Sequence, residues 1–220
     1  MLAEESLLKA VRVFEEGGSV LVTCNTVKRA QEAYRFLKEK VPKNRLILFH
    51  GRFNGRDRLQ KEGEIMGAAA VGKERRSPVV VVATQVVEVS LNIDLDVLFT
   101  DPAPLEALVQ RFGRVNRKKR VELAPVCIFR EPVQGEGVYR EEMIRRSLQV
   151  LEKYADGRSV DESLVRLWLD EIYTGEVLEW WEAAYDRVAG EFQEVFLGTL
   201  RPFESDDALE EAFARSFDGT

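Results

Sequence analysis

Between residues 19 and 129, short apolar runs alternate with segments whose apolar residues recur every three or four positions. The runs SVLVTC, RLILFH, PVVVVAT, DVLFTD and APVCIF read as five strands. PVVVVAT is β-branched and apolar on both faces, as a central parallel strand must be when helices cover both sides of the sheet. The segments between and before them have helical spacing. Over 4–16 the stripe is Leu7, Leu8, Val11 and Phe14, stopped at Gly17-Gly18; over 27–40 it is Val27, Ala30, Tyr34 and Leu37, ahead of Pro42. A helix with a weak stripe is expected over 54–66, followed by a polar loop, GKERRSP. A short polar turn is expected after Thr84, and a helix over 104–112 with Pro104 in its first turn. Strands separated by roughly ten to fifteen helical residues predict right-handed crossovers and a parallel, doubly wound sheet.

After residue 131 the pattern changes. REPVQGEG reads as a Pro/Gly linker, and the chain beyond it shows only helical periodicity, broken at Gly157, Gly175 and Gly198. The expected fold class is α/β, a parallel sheet with helices on both faces, followed by an α-helical C-terminal accessory region of three or four helices. The domain division is 1–130 and 131–220, with the last residues, FDGT, frayed. Trp168, Trp180 and Trp181 stand among apolar residues at helical spacing and are expected to pack in a core.

Charge sharpens the division. Residues 1–130 carry 23 Lys and Arg against 16 Asp and Glu, whereas residues 131–220 carry 9 against 22, so a net charge of −6 conceals a basic half and an acidic half. The basic half suits phosphate contacts; the acidic half should repel DNA and suits a protein contact or a lid. No apolar run is long enough to span a membrane, and the start MLAEESLLKA lacks a signal peptide's basic and apolar regions, so a soluble cytoplasmic location with no membrane partner is expected. Cys24 and Cys127 lie inside strand-like runs without metal-ligand spacing and are expected as reduced core thiols. With one histidine, His50, the chain cannot build a histidine-rich metal nuclease centre, and no metal ligands are assigned.

The most informative string is QRFGRVNR, Gln110 to Arg117, at the end of a short helix after a buried strand. Guanidiniums remain charged and bind phosphate oxygens as a fork, so this cluster suits charge developing on a transferring phosphoryl group. Gly113 allows close backbone approach. The string matches Q-R-x-G-R-x-x-R, motif VI of superfamily 2 helicases. That resemblance implies Arg114 and Arg117 as arginine fingers, Gln110 as a contact to the γ-phosphate or attacking water, and Arg111 as a neighbouring polar contact at the nucleotide. Lys118, Lys119 and Arg120, just beyond the motif, read as a solvated basic run.

ATQVVEVSLNIDLDVLFTDPAP, from Ala83 to Pro104, carries a strand-end threonine and an aspartate ahead of the next strand. Ligands of open α/β sheets gather at the carboxyl ends of strands. The segment resembles motif V, which implies Thr84 and Gln85 at a nucleic-acid backbone and Asp94 near the nucleotide sugar. Asp94 capping backbone amides is the alternative. Glu88 and Ser90 lie inside the motif without an assigned role; other members often have glycine near Ser90. VLVTCNTVKRAQEAY resembles motif IV, implying strand contacts from Thr23, Asn25 and Thr26, with ordinary helix capping by Asn25 or Thr26 equally open.

A fourth string, LFHGRFNGRDR, adds Arg52, Arg56 and Arg58 after a strand, and His50, which reads as a packed residue. Together with EVSLNIDLDVLFTDPAPLEALVQRFGRVNR it is similar to the helicase portion of the CRISPR-associated helicase-nuclease family of type I systems, over about residues 19–130. The resemblance implies a second RecA-like domain, 3′ to 5′ action on single-stranded DNA, an HD-type nuclease domain or subunit elsewhere, and recruitment by the CRISPR surveillance complex. Arg52 would then join the strand contacts. Neither a Gly-Lys-Ser/Thr phosphate loop nor the acidic Mg²⁺ motif occurs, so ATP and Mg²⁺ would be held mainly by a first RecA-like domain, and this chain alone would be inactive. The motor of a restriction or repair translocase, or a noncatalytic nucleic-acid or protein docking module, are the alternatives.

Overall fold

The computed structural model describes residues 4–72, 77–130, 137–155, 157–160 and 162–199. Strands β1 (Val20–Thr23), β2 (Leu46–Phe49), β3 (Val80–Ala83), β4 (Val97–Thr100) and β5 (Val126–Ile128) form one sheet, in the order β2-β3-β1-β4-β5. Every neighbouring pair is parallel. All five expected strands are present. Between them and ahead of them run α1 (Glu4–Glu15), α2 (Val27–Lys38), α3 (Gly55–Ala69), α4 (Val86–Ser90) and α5 (Leu105–Phe112), with a 3-10 turn at Lys43–Arg45.

Alternation along each strand builds two apolar layers. Val20 and Val22, Val80 and Val82, and Val97 and Phe99 pack with Leu7, Ala10 and Val11 of α1 and Ala30, Ala33 and Leu37 of α2. Leu21, Val81 and Leu98 point the other way, onto Ile65 and Ala69 of α3, Val87 of α4, and Leu91, Ile93 and Leu95. Each such side chain contributes about 1.5–3 kcal/mol on full burial. Surface ion pairs contribute at most about 1 kcal/mol, so the two layers dominate the stability of the sheet.

One local expectation fails. The connection after Thr84 is a helix, α4, and not a polar turn, because Val87 and Leu91, four positions apart, are both drawn into the second layer. Burial of that face outweighs the polar residues around it.

Further along the chain, α6 (Glu141–Tyr154) and α7 (Glu162–Ile172) belong to the same compact unit as the sheet, which ends at Ile172. The Leu105 amide at the start of α5 donates to Ser147 Oγ at 2.9 Å. Met143, Ile144, Val150 and Leu151 form the buried face of α6. A second unit begins at Tyr173 and holds α8 (Glu176–Thr199). Gly157 and Gly175 separate the helices with φ of 64° and 52°, the left-handed region that glycine enters without penalty. Gly198 does not break its helix; α8 continues through it to Thr199. Trp168 is buried and stacks on Tyr154, as expected of a core residue, whereas Trp180 and Trp181 are 38% and 43% exposed. Cys24 is buried and Cys127 half-buried, and neither forms a disulfide among the described residues. Among the described residues no helix is long and apolar enough to cross a membrane. Residues 73–76, 131–136 and the FDGT terminus lie outside the described residues.

Candidate nucleotide and nucleic-acid site

Parallel register brings the carboxyl ends of three strands together, since Thr23 pairs with Ala83 of β3 on one side and Thr100 of β4 on the other. The residues just past these ends form a buried polar cluster. Asp101, fully buried, accepts hydrogen bonds from Arg29 Nε at 2.8 Å, Arg29 Nη2 at 2.7 Å and the Asn25 amide at 2.9 Å. Asn25 donates through Nδ2 to the Pro102 carbonyl at 2.7 Å and accepts at Oδ1 from Arg111 Nη2 at 3.0 Å. Arg111, also fully buried, donates through Nε to Glu88 Oε1 at 2.8 Å and through Nη1 to Thr100 Oγ1 at 2.8 Å and the Asp101 carbonyl at 3.0 Å. Its Nη2 also reaches the Tyr139 hydroxyl at 3.4 Å. Buried charge persists only when paired and hydrogen-bonded, and here it is both.

A second cluster lies on the return connection ahead of β4. Leu95 and Val115 form a parallel bridge, so the turn after α5 lies against the segment from Glu88 to Asp96. Arg114 donates through Nη1 to the Leu91 carbonyl at 2.9 Å and through Nη2 to the Glu88 carbonyl. Its Nε is buried without a partner. Burial foremost, and then the neighbouring charge of Arg117, lower the Arg114 pKa, with Glu88 opposing them. Arg117 is exposed; its amide donates to Asp94 Oδ1 at 2.8 Å and its Nη1 to Asn92 Oδ1 at 2.9 Å.

The four arginines of this segment therefore divide by partner. Arg111 is paired with the Glu88 carboxylate, and Arg120 with Asp94 and Asp96. The side chains of Arg114 and Arg117 instead donate to neutral oxygens, two carbonyls and an amide. Two adjacent cations without a carboxylate in contact are an arrangement that suits an anion. Glu88 joins the clusters: its carboxylate holds Arg111 and its carbonyl holds Arg114.

The structure brings Thr23, Asn25, Thr84 and Gln85 together at the carboxyl edge, where Gln85 Nε2 donates to the Asn25 carbonyl at 2.7 Å. Thr23 Oγ1 is buried without a partner. Thr26 is the N-cap of α2 and accepts from the Arg29 amide at 3.3 Å, so the capping alternative is realised. Arg52 and Gln110 are exposed on the surface. Two residues differ from their expected setting, and a third, Asp94, takes the capping alternative. Arg111, expected at the nucleotide, is interior, with all three guanidinium nitrogens engaged within the protein. Asn25 is 4% exposed with both ends of its amide occupied. Asp94 is fully buried, accepting from the Arg117 amide and the Arg120 guanidinium, the amide-capping alternative extended by an ion pair. Gly113 caps α5 at a φ of −63°, and a Cβ there would meet the Gln110 and Val109 carbonyls only at ordinary distances, 3.5 and 3.7 Å.

Sequence reasoning missed Arg29, Asp101, Tyr139 and Arg120. Asp101 had a signal, since a carboxylate directly after an apolar strand needs a partner; Arg29 stands on a helix with no pattern to single it out. Tyr139 comes from the far side of the Pro/Gly segment, and Arg120 sits in a run that reads as solvated charge. Among the described residues no group of three His, Cys, Asp or Glu could hold a metal ion.

His50 follows β2, is 5% exposed, and stacks on Phe53 at 4.1 Å between ring centroids. Burial, ahead of the charges of Arg52 and Lys61, lowers its pKa below 6.5, while a bond to its own backbone opposes them. The unfolded chain thus takes up this proton at higher pH than the folded one. The stabilising contribution is complete above pH 6.5 and is lost as pH falls through that value. Chemical denaturation of wild type and His50→Phe from about pH 8 to about pH 5 should show the wild type losing more stability at the acid end; identical pH profiles would remove His50 from the account.

The parallel sheet flanked on both faces, the strand-end polar cluster and the paired Arg114 and Arg117 after α5 define a second RecA-like domain of a superfamily 2 helicase. Residues 16–120, just under half of the chain, match the family described as CRISPR-associated nuclease/helicase Cas3, C-terminal. The CRISPR-associated endonuclease/helicase Cas3 of Escherichia coli K12 is 34% identical over 190 residues, which cover 79% of this chain and 21% of that protein. Its counterpart from Streptococcus thermophilus is 36% identical over 121 residues, 54% of this chain and 13% of that one. The chain thus spans about a fifth or less of these two relatives. Among solved structures, T. fusca Cas3-AMPPNP superimposes with a TM-score of 0.67 at 27% identity, covering 86% of this chain and 24% of that chain. A chain of a CRISPR RNA-guided surveillance complex, pre-nicking, gives 0.63 at 27% identity, with 94% and 27% covered.

Proposed function

We propose that this chain is the second RecA-like half, residues 1–130 with a helical accessory region, of an ATP-dependent DNA helicase or translocase acting 3′ to 5′ in CRISPR type I interference. The observation that carries the proposal is the pair of guanidiniums, Arg114 and Arg117, bonded to neutral oxygens while their neighbours Arg111 and Arg120 are matched to carboxylates. Two cations on one turn that no carboxylate contacts suit the triphosphate tail of ATP, the nucleotide class bound in the T. fusca relatives. ATP, when bound, supplies the phosphoryl group whose departing charge these arginines stabilise.

In this reading Arg114 and Arg117 reach into the cleft as arginine fingers, and Gln110 orients the γ-phosphate or attacking water. Asp94 and Gly113 shape the nucleotide's margin, with Asp94 acting through the Arg117 amide it holds. Arg111 positions the Glu88 segment from the interior. Thr23, Thr84 and Gln85, with Asn25 and Thr26 shaping the edge and Arg52 on the neighbouring loop, supply contacts to a single strand's backbone, without base-edge readout. The P-loop lysine and Mg²⁺ ligands come from a first RecA-like domain, and closure of the two domains on ATP alternates their grip on the strand. An HD-type nuclease cuts the reeled strand. The likeness to a surveillance-complex chain supports recruitment after target recognition in the cytoplasm.

Direction is tested by strand displacement. With ATP and the P-loop-bearing domain present, a duplex carrying a 3′ single-stranded tail should be unwound and its 5′-tailed mirror left intact; equal unwinding of both, or of the 5′-tailed duplex alone, contradicts the proposed polarity.

A further inference from the structure

Arg120 lies three positions beyond Arg117, in a basic run that gives no sequence reason to single it out. Its guanidinium is nevertheless the most engaged on this turn. Nε donates to Asp94 Oδ2 at 3.2 Å, Nη2 to Asp94 Oδ1 at 3.2 Å and to the Leu95 carbonyl at 3.1 Å, and Nη1 to Asp96 Oδ1. Asp94 is fully buried, so its orientation is set by protein donors and not by water. The oxygen that meets Arg120 Nη2 also accepts the Arg117 amide at 2.8 Å.

The backbone around Arg117 needs such a hold. Asn116 and Lys119 have φ of 47° and 50°, a region that residues with a Cβ enter rarely and keep only where the surroundings over-determine it. The surroundings do so here: Asn116 Nδ2 donates to the Val121 carbonyl at 2.7 Å, the Val121 amide returns to Asn116 Oδ1 at 3.2 Å, and the Asn116 amide donates to the Leu95 carbonyl at 2.9 Å. Arg120 and Asp94 close the remaining side of the turn, between these bonds and the Arg117 amide.

We propose that Arg120 is a positioning residue for ATP hydrolysis, gripping Asp94 and Asp96 so that the Asp94 carboxylate holds the Arg117 amide and thereby aims the Arg117 guanidinium. A planar fork does this where a lysine cannot, because two carboxylate oxygens of Asp94 and one of Asp96 are engaged at once. The inference rests on the arginine-finger reading of Arg117.

The test is steady-state ATP turnover by the complete helicase with saturating single-stranded DNA, for wild type, Arg120→Ala, Arg120→Lys, Arg117→Ala and the double variant Arg117→Ala/Arg120→Ala. Misaiming a group that acts in the transition state lowers kcat and spares KM. Arg120→Ala should lose about 10- to 100-fold in kcat with KM for ATP within about 3-fold. In the Arg117→Ala background the same change should add less than about 2-fold, since both act through one guanidinium. If the alanine variant does not fold, Arg120→Lys carries the test, with kcat down at least about 5-fold at an unchanged melting temperature. Wild-type kcat in a folded Arg120→Lys, or an equal further loss in the Arg117→Ala background, overturns the proposal. Should Arg117→Ala itself turn over normally, the arginine-finger reading fails and takes this inference with it; should Arg117→Ala be dead and the Arg120 variants fully active, the inference alone fails.

Discussion

Replacing Arg117 with alanine should lower DNA-stimulated ATP turnover about a thousandfold or more, the scale on which an arginine finger acts on phosphoryl transfer. The fold should tolerate the change. The side chain is exposed and donates to Asn92 Oδ1 at 2.9 Å, while the contact to Asp94 is made by the backbone amide and survives. Arg114→Ala should show a comparable loss of turnover with some loss of stability, because the carbonyls of Leu91 and Glu88 each lose a donor. The informative comparison is thermal melting against kcat: Arg117→Ala should melt with the wild type and fail to turn over. A variant that turns over at the wild-type rate removes Arg117 from the chemistry.

The largest expected effect on stability lies elsewhere, at Asp101→Ala. Arg29 and Asp101 have side chains 8% and 0% exposed and are joined through two hydrogen bonds, so removing the carboxylate strips a buried guanidinium of both and of that ion pair. The cost of breaking such a pair is about 3–5 kcal/mol. Against a domain stability of about 5–15 kcal/mol, this is enough to unfold a marginal protein. Asp101 also accepts the Asn25 amide, so the strand-end cluster should loosen with it. Urea unfolding measures the loss, and Glu62→Ala is the control: the Arg58–Glu62 pair is partly exposed at helical spacing, and its removal should cost less than about 0.5 kcal/mol. An Asp101→Ala midpoint equal to that of the wild type would mean that Arg29 reaches water in the variant and that the cluster carries little energy.

How far the sequence could be read depends on the kind of interaction that fixes each element. The strands were legible because doubly apolar runs such as VVVV have no stable place except a covered parallel sheet. The helix over Val27–Lys38 was legible from its stripe, and Thr26 supplied its cap as one of two open alternatives. α4 was not, since five residues are too few to show a period and its helicity comes from burying Val87. The arginines show the same limit. Their clustering was visible in QRFGRVNR, but which are interior and which are free depends on partners distant in the chain: Glu88 for Arg111, Asn25 for the same guanidinium, Asp94 for Arg120. Nothing in the local string separates Arg111, fully buried, from Arg117, exposed six residues later. Tertiary pairing makes that separation, and with it the difference between an arginine that builds the site and one that works in it.

ATP turnover by this chain mixed with a P-loop-bearing first RecA-like domain, with and without single-stranded DNA, tests the central claim most directly. Either half alone should be inert, the mixture should turn over ATP only when DNA is present, and Arg114→Ala or Arg117→Ala should abolish it. A mixture that binds DNA and never hydrolyses ATP, or one whose hydrolysis is indifferent to both arginines, would contradict that claim and leave the chain a docking module on a RecA-like scaffold.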